Sequence, residues 1–504
     1  MRTSPVILLG ITFVCAFTHV VRAGESISRD RLVLLPATSD PTVSFRLWFQ
    51  VGSQNDPPGK AGLAALTSAL LTEGATKSHS YEEILKLLYP MAASYSASTG
   101  VEMTVIAGRT HRDNLDAYYQ LLSEAVLSPA FRQEDLDRLK NDVLNFLENT
   151  LRYASDEELG KAVLYNEVFA GTPYGHLPVG TINAVKSITL EDVQSFYRKY
   201  YTRDNVVIGL GGGYDEQLVN RLCADLAALP AGHVEPLPPP APRPIEGLRV
   251  TIVEKDTAAT AISMGAPISI LRGNPEWYAL AVANSWLGEH RNQNGRLFHV
   301  IRDQRGLNYG DYTYIEHFPN GGSRTKPPQN ACRRQQLFEI WIRPVPNETR
   351  HFALRAALRE FTRLVDDGLD EEQFTLTRKF LRNYVLHYAP TTMERLGYAL
   401  DDRFYHIAGS HLDNFRQAMG TVQREQVNAA VKKYLQYRNL HIVFVTKDAQ
   451  ALRESLVSDA PSPIQYATSK PESVTTADQE IARFPLKIRA EDVKIVPVVE
   501  LFVD

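Results

Sequence analysis

"GLAALTSALLTEGAT", residues 62–76, has the spacing of an amphipathic helix built from small residues, and it follows an apolar strand. Ala65, Ser68 and Ala69 fall on one face of this helix, because positions i, i+3 and i+4 lie side by side. Two methyl groups and a hydroxyl pack closely against a neighbour, but they supply neither a metal ligand nor a carboxylate base. The stretch is either ordinary core or a catalytic helix without its catalytic groups, and the surrounding sequence must decide.

The length and charge of the chain limit what it can be. With 504 residues it exceeds a single hydrophobic core, so we expect at least two domains. Lys and Arg total 54 and Asp and Glu total 58, which gives a net charge of −4. Nucleic-acid-binding proteins concentrate basic residues, so this near balance argues against that class.

The N-terminus has the features of a secretory signal peptide. A single Arg in "MRTSP" precedes the apolar run "VILLGITFVCAF", and "VVRA" offers small residues for cleavage after Ala23. We therefore expect residues 1–23 to be removed from an exported protein, periplasmic or secreted. An uncleaved anchor is the alternative, although the run is short for a membrane span. No later segment is apolar and long enough to span a membrane.

The mature chain reads as a duplication. The Pro-rich stretch "EPLPPPAPRPIEG", residues 235–247, predicts a semi-rigid linker between residues 24–234 and residues 248–450. Similar helix and strand patterns occur on both sides of this linker at an offset of about 235 residues. The clearest case is a helix followed by an apolar strand, at 188–213 and again at 422–447. Each half interleaves helices with strands, which predicts an α+β fold. Residues 451–504 form a C-terminal tail whose last segment, "VKIVPVVELFVD", we expect to dock as a strand.

Several short motifs resemble nucleotide-binding or metal-binding motifs but lack the spacing or the partner residues that these need. "GLGGG", residues 209–213, lacks both dinucleotide-binding and P-loop spacing and reads as a strand running into a turn. The His residues form no H-x3-H or HExxH pattern, and "GEH" at 288–290 has no second ligand beside it. Cys223 falls on an apolar helix face and Cys332 in a polar loop, so a disulfide between them stays open.

The order of several segments resembles the insulinase/pitrilysin family of zinc metallopeptidases, in its short bacterial form of two homologous halves. The matching segments are 62–76, "AVLSPAFRQEDLDRLKNDVL" (125–144), "GTPYGHLPVGT" (171–181) and "LGEHRNQNGRLFHVIRDQRGLNYGDY" (287–312). The resemblance implies two homologous α/β half-domains that form a clamshell, as in mitochondrial-processing-peptidase-like proteins.

The chain departs from this family at the zinc motif. In the family's H-x-x-E-H, two His bind zinc and the Glu activates water, whereas here Ala65, Ser68 and Ala69 occupy those positions. The third ligand, a Glu, aligns with Phe146, and Glu148 lies close enough to leave that alignment open. Catalytic zinc needs three protein ligands. We therefore expect no metal in this chain and zinc only in a partner subunit.

The family's second functional pair is retained. Members carry an Arg and a Tyr seven residues apart that reach the active site from the half without zinc, and "RDQRGLNY" supplies Arg302 and Tyr309 at that spacing. Tyr suits hydrogen bonding to a developing oxyanion, and Arg suits holding substrate carbonyls. Taken alone, Arg302 could merely complement a helix C-terminus and Tyr309 could merely pack. Arg305 competes for the Arg role, but its spacing to Tyr309 is wrong.

Residues 317–336, "HFPNGGSRTKPPQNACRRQQ", depart from the family pattern as an insertion between two strands. We expect a solvated loop there, and contact with a partner or substrate is the alternative.

Two functions compete. In the first, the chain is the non-catalytic subunit of an exported heterodimeric peptidase, and a paralogous partner with H-x-x-E-H supplies zinc and the base. In the second, it is a peptide-binding or structural scaffold with no part in catalysis. A third hypothesis, an enzyme with a relocated metal site, has no ligand cluster in the sequence to support it.

Overall fold

Two β-sheets organise the chain. The structure, a computed structural model, describes residues 26–290, 293–318 and 325–504, so the expected signal peptide (1–23) lies outside it. The strands are β1 Leu32–Pro36, β2 Thr42–Phe49, β3 Ser94–Thr99, β4 Thr104–His111, β5 Val206–Gly212, β6 Leu248–Glu254, β7 Ala259–Ile268, β8 Asp311–Tyr314, β9 Gln336–Pro346, β10 Leu440–Thr446 and β11 Val493–Pro497.

Helices surround both sheets. They are α1 Leu63–Glu73, α2 Tyr81–Leu88, α3 Leu115–Leu127, α4 Gln133–Asn145, α5 Leu151–Tyr153, α6 Asp156–Phe169, α7 Ile182–Ser187, α8 Leu190–Tyr200, α9 Glu216–Leu226, α10 Pro275–Gly288, α11 Arg350–Asp367, α12 Glu371–Tyr384, α13 Thr392–Phe404, α14 His411–Thr421, α15 Arg424–Tyr434, α16 Ala449–Val457 and α17 Glu472–Ala482. Two π-helices, Phe146–Thr150 and Phe298–Asp303, continue this set, and short 3-10 turns begin or end several elements. Among the described helices, none is both long enough and apolar enough to cross a lipid bilayer.

The two sheets have the same topology. The first has the order β1-β5-β2-β4-β3, and the second has the order β6-β10-β7-β9-β8 with β11 added beside β6. In each, the outer pair (β1 with β5, β6 with β10) is parallel and the following pairs are antiparallel. The predicted α+β fold of two homologous halves is confirmed.

Short-range side-chain hydrogen bonds mark the starts of two helices. Ser80 and Glu83 make a reciprocal capping box at the start of α2, and Thr189 and Asp192 do the same for α8. The predicted strand at the chain's end is β11, which pairs parallel with β6. Such local agreement between sequence and structure is typical of a well-specified fold.

One helix of each half packs on the sheet of the other half. Helix α6 packs on β7 and β10 of the second sheet, and α13 packs on β5, β1 and β2 of the first. Close approach needs small residues: a Cβ at Gly209 would lie 3.3 Å from Leu396 Cδ1, and one at Gly211 would lie 3.1 Å from Thr392 Cγ2. "GLGGG" is therefore a strand with room for a helix on its face.

The C-terminal segment joins the halves a second time. After β11 the chain crosses to the first half, where the N–H groups of Ile182 and Asn183 donate to the carbonyls of Phe502 (2.9 Å) and Val503 (3.0 Å). Phe502 is buried in the same cluster as α6 residues. Cys223 and Cys332 are both free and buried.

Candidate functional site

Helix α1 carries the three positions where the family's zinc motif would stand. Its first turn is capped by the carboxylate of Asp56, which accepts from the N–H of Gly62 (2.7 Å) and of Ala64 (2.7 Å). Gly62 adopts a φ of +97°, which favours glycine. Burial raises the pKa of Asp56 to about 7.

A chain of neutral hydroxyls lies at the centre of this locus. Ser68 Oγ donates to the carbonyl of Ala65 (2.9 Å) and shares a hydrogen with Thr99 Oγ1 (2.7 Å). Thr99 in turn contacts Thr104 Oγ1 (3.2 Å), and Thr104 donates to the carbonyl of Val51 (2.8 Å). With Ser68 only 3% exposed, its hydroxyl is committed to the fold. No carboxylate base stands here.

The third ligand position is also unsuited to zinc. Phe146 is partly exposed in the π-helix that follows α4. Glu148, the competing residue, accepts from Lys186 Nζ at 3.3 Å. No group of three His, Cys, Asp or Glu able to hold a metal occurs among the residues that the structure describes. Alanine, serine and phenylalanine do not provide the donor set of a zinc site, so the family's metal does not fit this chain.

Arg302 lies in the π-helix Phe298–Asp303, at the helix end where the sequence placed it. Its Nη1 donates to Asp303 Oδ1 at 3.4 Å, and its guanidinium lies 5.1 Å from the ring centre of Phe298. The helix stops at Gly306, whose φ is +69° and whose N–H donates to the Arg302 carbonyl at 2.6 Å. Arg302 is half-buried, and its charge remains accessible to solvent.

Tyr309 lies in the bend just before β8 and is 79% exposed. Large aromatic side chains are usually well buried, so this exposure is unusual. No described hydrogen bond or ring contact joins Tyr309 to Arg302, and the two are related only through the helix–turn–strand junction between them. The structure places both at one junction without bringing their side chains together.

The residues that fix this junction were missed by sequence reasoning. Arg305, which competed for the Arg role, is buried: its Nε donates to Asp478 Oδ1 (2.8 Å) and its Nη1 to the carbonyl of Val300 (2.7 Å). Asn308 Nδ2 donates to Asp311 Oδ1 (2.8 Å) and to the carbonyl of Arg343 (3.1 Å). Arg305 therefore has a structural role; its spacing to Tyr309 had argued against the family's Arg role but did not predict these contacts.

The expected solvated loop at 317–336 is wrong for its C-terminal part. Asn330, Cys332 and Arg333 are buried, and residues 319–324 lie outside the described residues. Asn330 accepts a hydrogen bond from Arg46 of the first half and donates to Asp401 of the second (2.9 Å). The segment is a loop, as its polar composition predicted, but its residues satisfy polar groups buried between the halves and do not lie in solvent.

Arg334 adds hydrogen bonds between the two halves. Its Nε donates to Glu102 Oε2 at 2.6 Å and its backbone N–H to Glu102 Oε1 at 2.7 Å. The hydroxyl of Tyr174 also donates to Glu102. Segment 325–336 therefore connects the two halves through hydrogen bonds, and we call this connection the tie between the halves.

Comparison with known proteins places the two halves in one family. Residues 32–176 match the family described as Insulinase (Peptidase family M16), and residues 187–381 match the one described as Peptidase M16 inactive domain. The non-peptidase homolog YmxG of Helicobacter pylori is 26% identical over 420 residues, covering 81% of this chain and 89% of that protein. An uncharacterized zinc protease of Streptomyces coelicolor is 25% identical over 354 residues, covering 68% and 72%.

Solved structures show the same fold. The peptidase M16 inactive domain from Pseudomonas fluorescens superposes with a TM-score of 0.72 at 24% identity, covering 82% of this chain and 95% of that one. A protease from Helicobacter pylori gives 0.71 at 17% identity, covering 84% and 99%. The chain belongs to the insulinase (M16) family of peptidases.

Proposed function

We propose that this protein is the non-catalytic subunit of an exported heterodimeric zinc peptidase. A paralogous subunit with an intact H-x-x-E-H supplies the zinc and the base, and this chain supplies Arg302 and Tyr309. The substrate is a peptide or an unfolded segment of polypeptide. The signal-peptide features of residues 1–23 support a periplasmic or secreted location.

The observation that carries the proposal is the exposure of Tyr309 on a junction that is otherwise held firmly. Buried contacts of Arg305 and Asn308 fix the turn that leads into it, and Asn308 also bonds to Asp311 just after it. Such an arrangement presents a phenol to a partner at little conformational cost. In a closed complex, Tyr309 would donate to the oxyanion and Arg302 would hold a substrate carbonyl.

The absence of zinc-binding side chains from helix α1 supports separate roles for this chain and a zinc-bearing partner subunit. A helix whose Ser68 is tied to Thr99 and to the Ala65 carbonyl cannot activate water. An Arg–Tyr pair has little use in peptide hydrolysis without a zinc-bound water opposite it. The two observations together favour a complement to an active subunit.

The test is peptide hydrolysis by the zinc-bearing paralogue with and without an equimolar amount of this chain, with metal analysis of each protein. We expect no zinc and no activity in this chain alone, and at least tenfold more activity on mixing. Tyr309→Phe and Arg302→Ala should each remove most of that gain. Tyr89→Phe, at another exposed Tyr, and Arg416→Ala, at another exposed Arg, are the matched controls.

A mixture no more active than the paralogue alone would refute the proposal. If the two chains still co-elute in that case, the scaffold function replaces it. Stoichiometric zinc in this chain alone would instead establish a relocated metal site.

A further inference from the structure

A cavity of about 250 Å³ lies between the two halves and has no role in the function proposed above. Thr99, Lys161 and Tyr165 line it from the first half, and Arg333 and Glu339 line it from the second. Leu177, Pro178 and Phe318 add apolar wall. Its walls therefore combine charged groups with an apolar surface, as small-molecule sites do.

Arg333 is a buried cation whose guanidinium is incompletely satisfied. The residue is 4% exposed, and its Nε has no hydrogen-bond partner among the residues described. The guanidinium lies 5.1 Å from the ring centre of Tyr165, whose buried hydroxyl likewise has no described partner. The next residue, Arg334, is fully engaged with Glu102. Burying an unpaired donor is costly, so an acceptor from outside the chain would be favoured here.

Glu339 supplies a buried carboxyl group in the same cavity, and burial raises the pKa of this carboxyl to about 7. It is buried on β9, and no described ion pair joins its carboxylate to Arg333. Lys161 does not neutralise it directly, because its Nζ is held by Glu157 (2.8 Å) and Glu158 (2.8 Å) above the Trp341 ring. His317, which also lines the cavity, stays neutral, because burial and Arg333 hold its pKa well below the usual range. A guanidinium and a carboxyl group thus face one space without pairing.

We propose that this cavity binds a free α-amino acid with an apolar side chain. Its carboxylate would accept from Arg333 and the Tyr165 hydroxyl, and its ammonium group would donate to Glu339. The side chain would lie against Leu177, Pro178 and Phe318. Guanidinium–carboxylate pairing is strong in a desolvated site, and a zwitterion gives the Arg333 guanidinium and the Glu339 carboxyl group an ion-pair partner at once.

The bound amino acid would also bridge the halves, because Tyr165 belongs to the first and Arg333 to the second. A ligand that binds only the folded chain raises its unfolding free energy by RT ln(1 + [L]/Kd), so the melting temperature should rise with the concentration of the amino acid. The inference does not depend on a peptidase partner, so it stands or falls separately from the proposed function.

The experiment is calorimetric titration of the full-length mature chain with L-leucine, accompanied by thermal melts. L-leucinamide lacks the carboxylate, N-acetyl-L-leucine lacks the ammonium group, and sodium acetate tests for a simple anion site. We expect L-leucine to bind at least tenfold more tightly than any of the three. Equal binding of acetate, or no binding of L-leucine, would overturn the proposal.

Variants assign the contacts. Arg333→Gln and Glu339→Gln should each weaken L-leucine binding at least tenfold, whereas Arg416→Gln, on an exposed helix face, should leave it unchanged. Tyr165→Phe removes only a hydroxyl and preserves the packing, so it keeps the test valid if Arg333→Gln fails to fold. We expect Tyr165→Phe to weaken L-leucine binding several-fold. If Tyr165→Phe and Glu339→Gln both fold and each binds L-leucine as tightly as the wild type, the assignment is refuted.

Discussion

Arg305 Nε donates to Asp478 Oδ1 over 2.8 Å, and this bond ties the turn between Arg302 and Tyr309 to helix α17 of the C-terminal segment. The hydroxyl of Tyr466 donates to the other oxygen of Asp478 at 2.8 Å. Arg305 is almost completely buried, so its charge depends on this one carboxylate. The C-terminal segment therefore holds the junction that presents the exposed Tyr309.

Asp478→Asn should destabilise the protein by about 3 kcal/mol, because it leaves the Arg305 guanidinium buried without a counter-charge. Urea unfolding followed by circular dichroism measures this change. Asp137→Asn, on an exposed helix face, is the control and should change stability by less than about 0.5 kcal/mol. Equal stability of wild type and Asp478→Asn would mean that the junction is not held from the C-terminal segment.

Restoring the zinc motif alone should not restore zinc binding. The triple variant Ala65→His, Ser68→Glu, Ala69→His provides two ligands and a base, but Phe146 supplies no third ligand and Glu148 is paired with Lys186. We expect zinc well below one equivalent by mass spectrometry. The triple variant should also be less stable than the wild type, because Ser68→Glu would bury a charge among the hydroxyls of Thr99 and Thr104.

Adding Phe146→Glu to that triple variant should raise zinc toward one equivalent. A further Glu148→Gln change should leave the zinc content unaltered, as expected from the alignment of the family's third ligand with position 146. Loss of zinc on Glu148→Gln would assign the third ligand position to residue 148 instead.

Asp56 should make stability fall as pH rises. Its pKa in the folded state is about 7, against 3.8 for an ordinary Asp, because burial disfavours the charged form. Between these values the folded chain binds more protons than the unfolded chain, so unfolding free energy decreases as pH increases. The Asp56 contribution should be largest below about pH 4 and lost above about pH 7, a difference of roughly 4 kcal/mol.

Denaturant unfolding of wild type and Asp56→Asn from pH 4 to pH 8 isolates this effect. The stability advantage of wild type over Asp56→Asn should shrink steadily across that range. His176 Nε2 lies 3.8 Å from Asp56 Oδ2, so His176→Asn in both backgrounds tests whether it contributes. Asp113→Asn, at an exposed Asp, should reproduce the wild-type pH profile, and a constant wild-type advantage would contradict the assignment.

Glu102→Gln should loosen the tie between the halves. Glu102 is buried and accepts three hydrogen bonds, from the backbone and side chain of Arg334 and from Tyr174. Removing its charge should cost about 3 kcal/mol of unfolding free energy and speed amide exchange in 325–336. Glu148→Gln, which removes a solvent-exposed ion pair with Lys186, should change neither measurement appreciably.

The sequence by itself determined much of the local structure. Capping boxes at Ser80 and Thr189 fixed helix starts, because the bonds involved span three residues. The repeat at an offset of about 235 residues anticipated two sheets of one topology. The lack of side-chain ligands at positions 65 and 69 was also readable, because an alanine side chain has no atom with a lone pair.

Tertiary structure decided the rest. The polar segment 325–336 looked like a solvated loop, yet Arg334 is half-buried against Glu102, 232 residues away. Arg305 and Asp478 are 173 residues apart, and no local pattern relates them. Periodicity reports which neighbours along the chain share a face, whereas pairing between distant segments depends on how the two halves pack. For that reason the retained Arg302 and Tyr309 were visible in the sequence, but the contacts that hold their junction, and the cavity between the halves, were not.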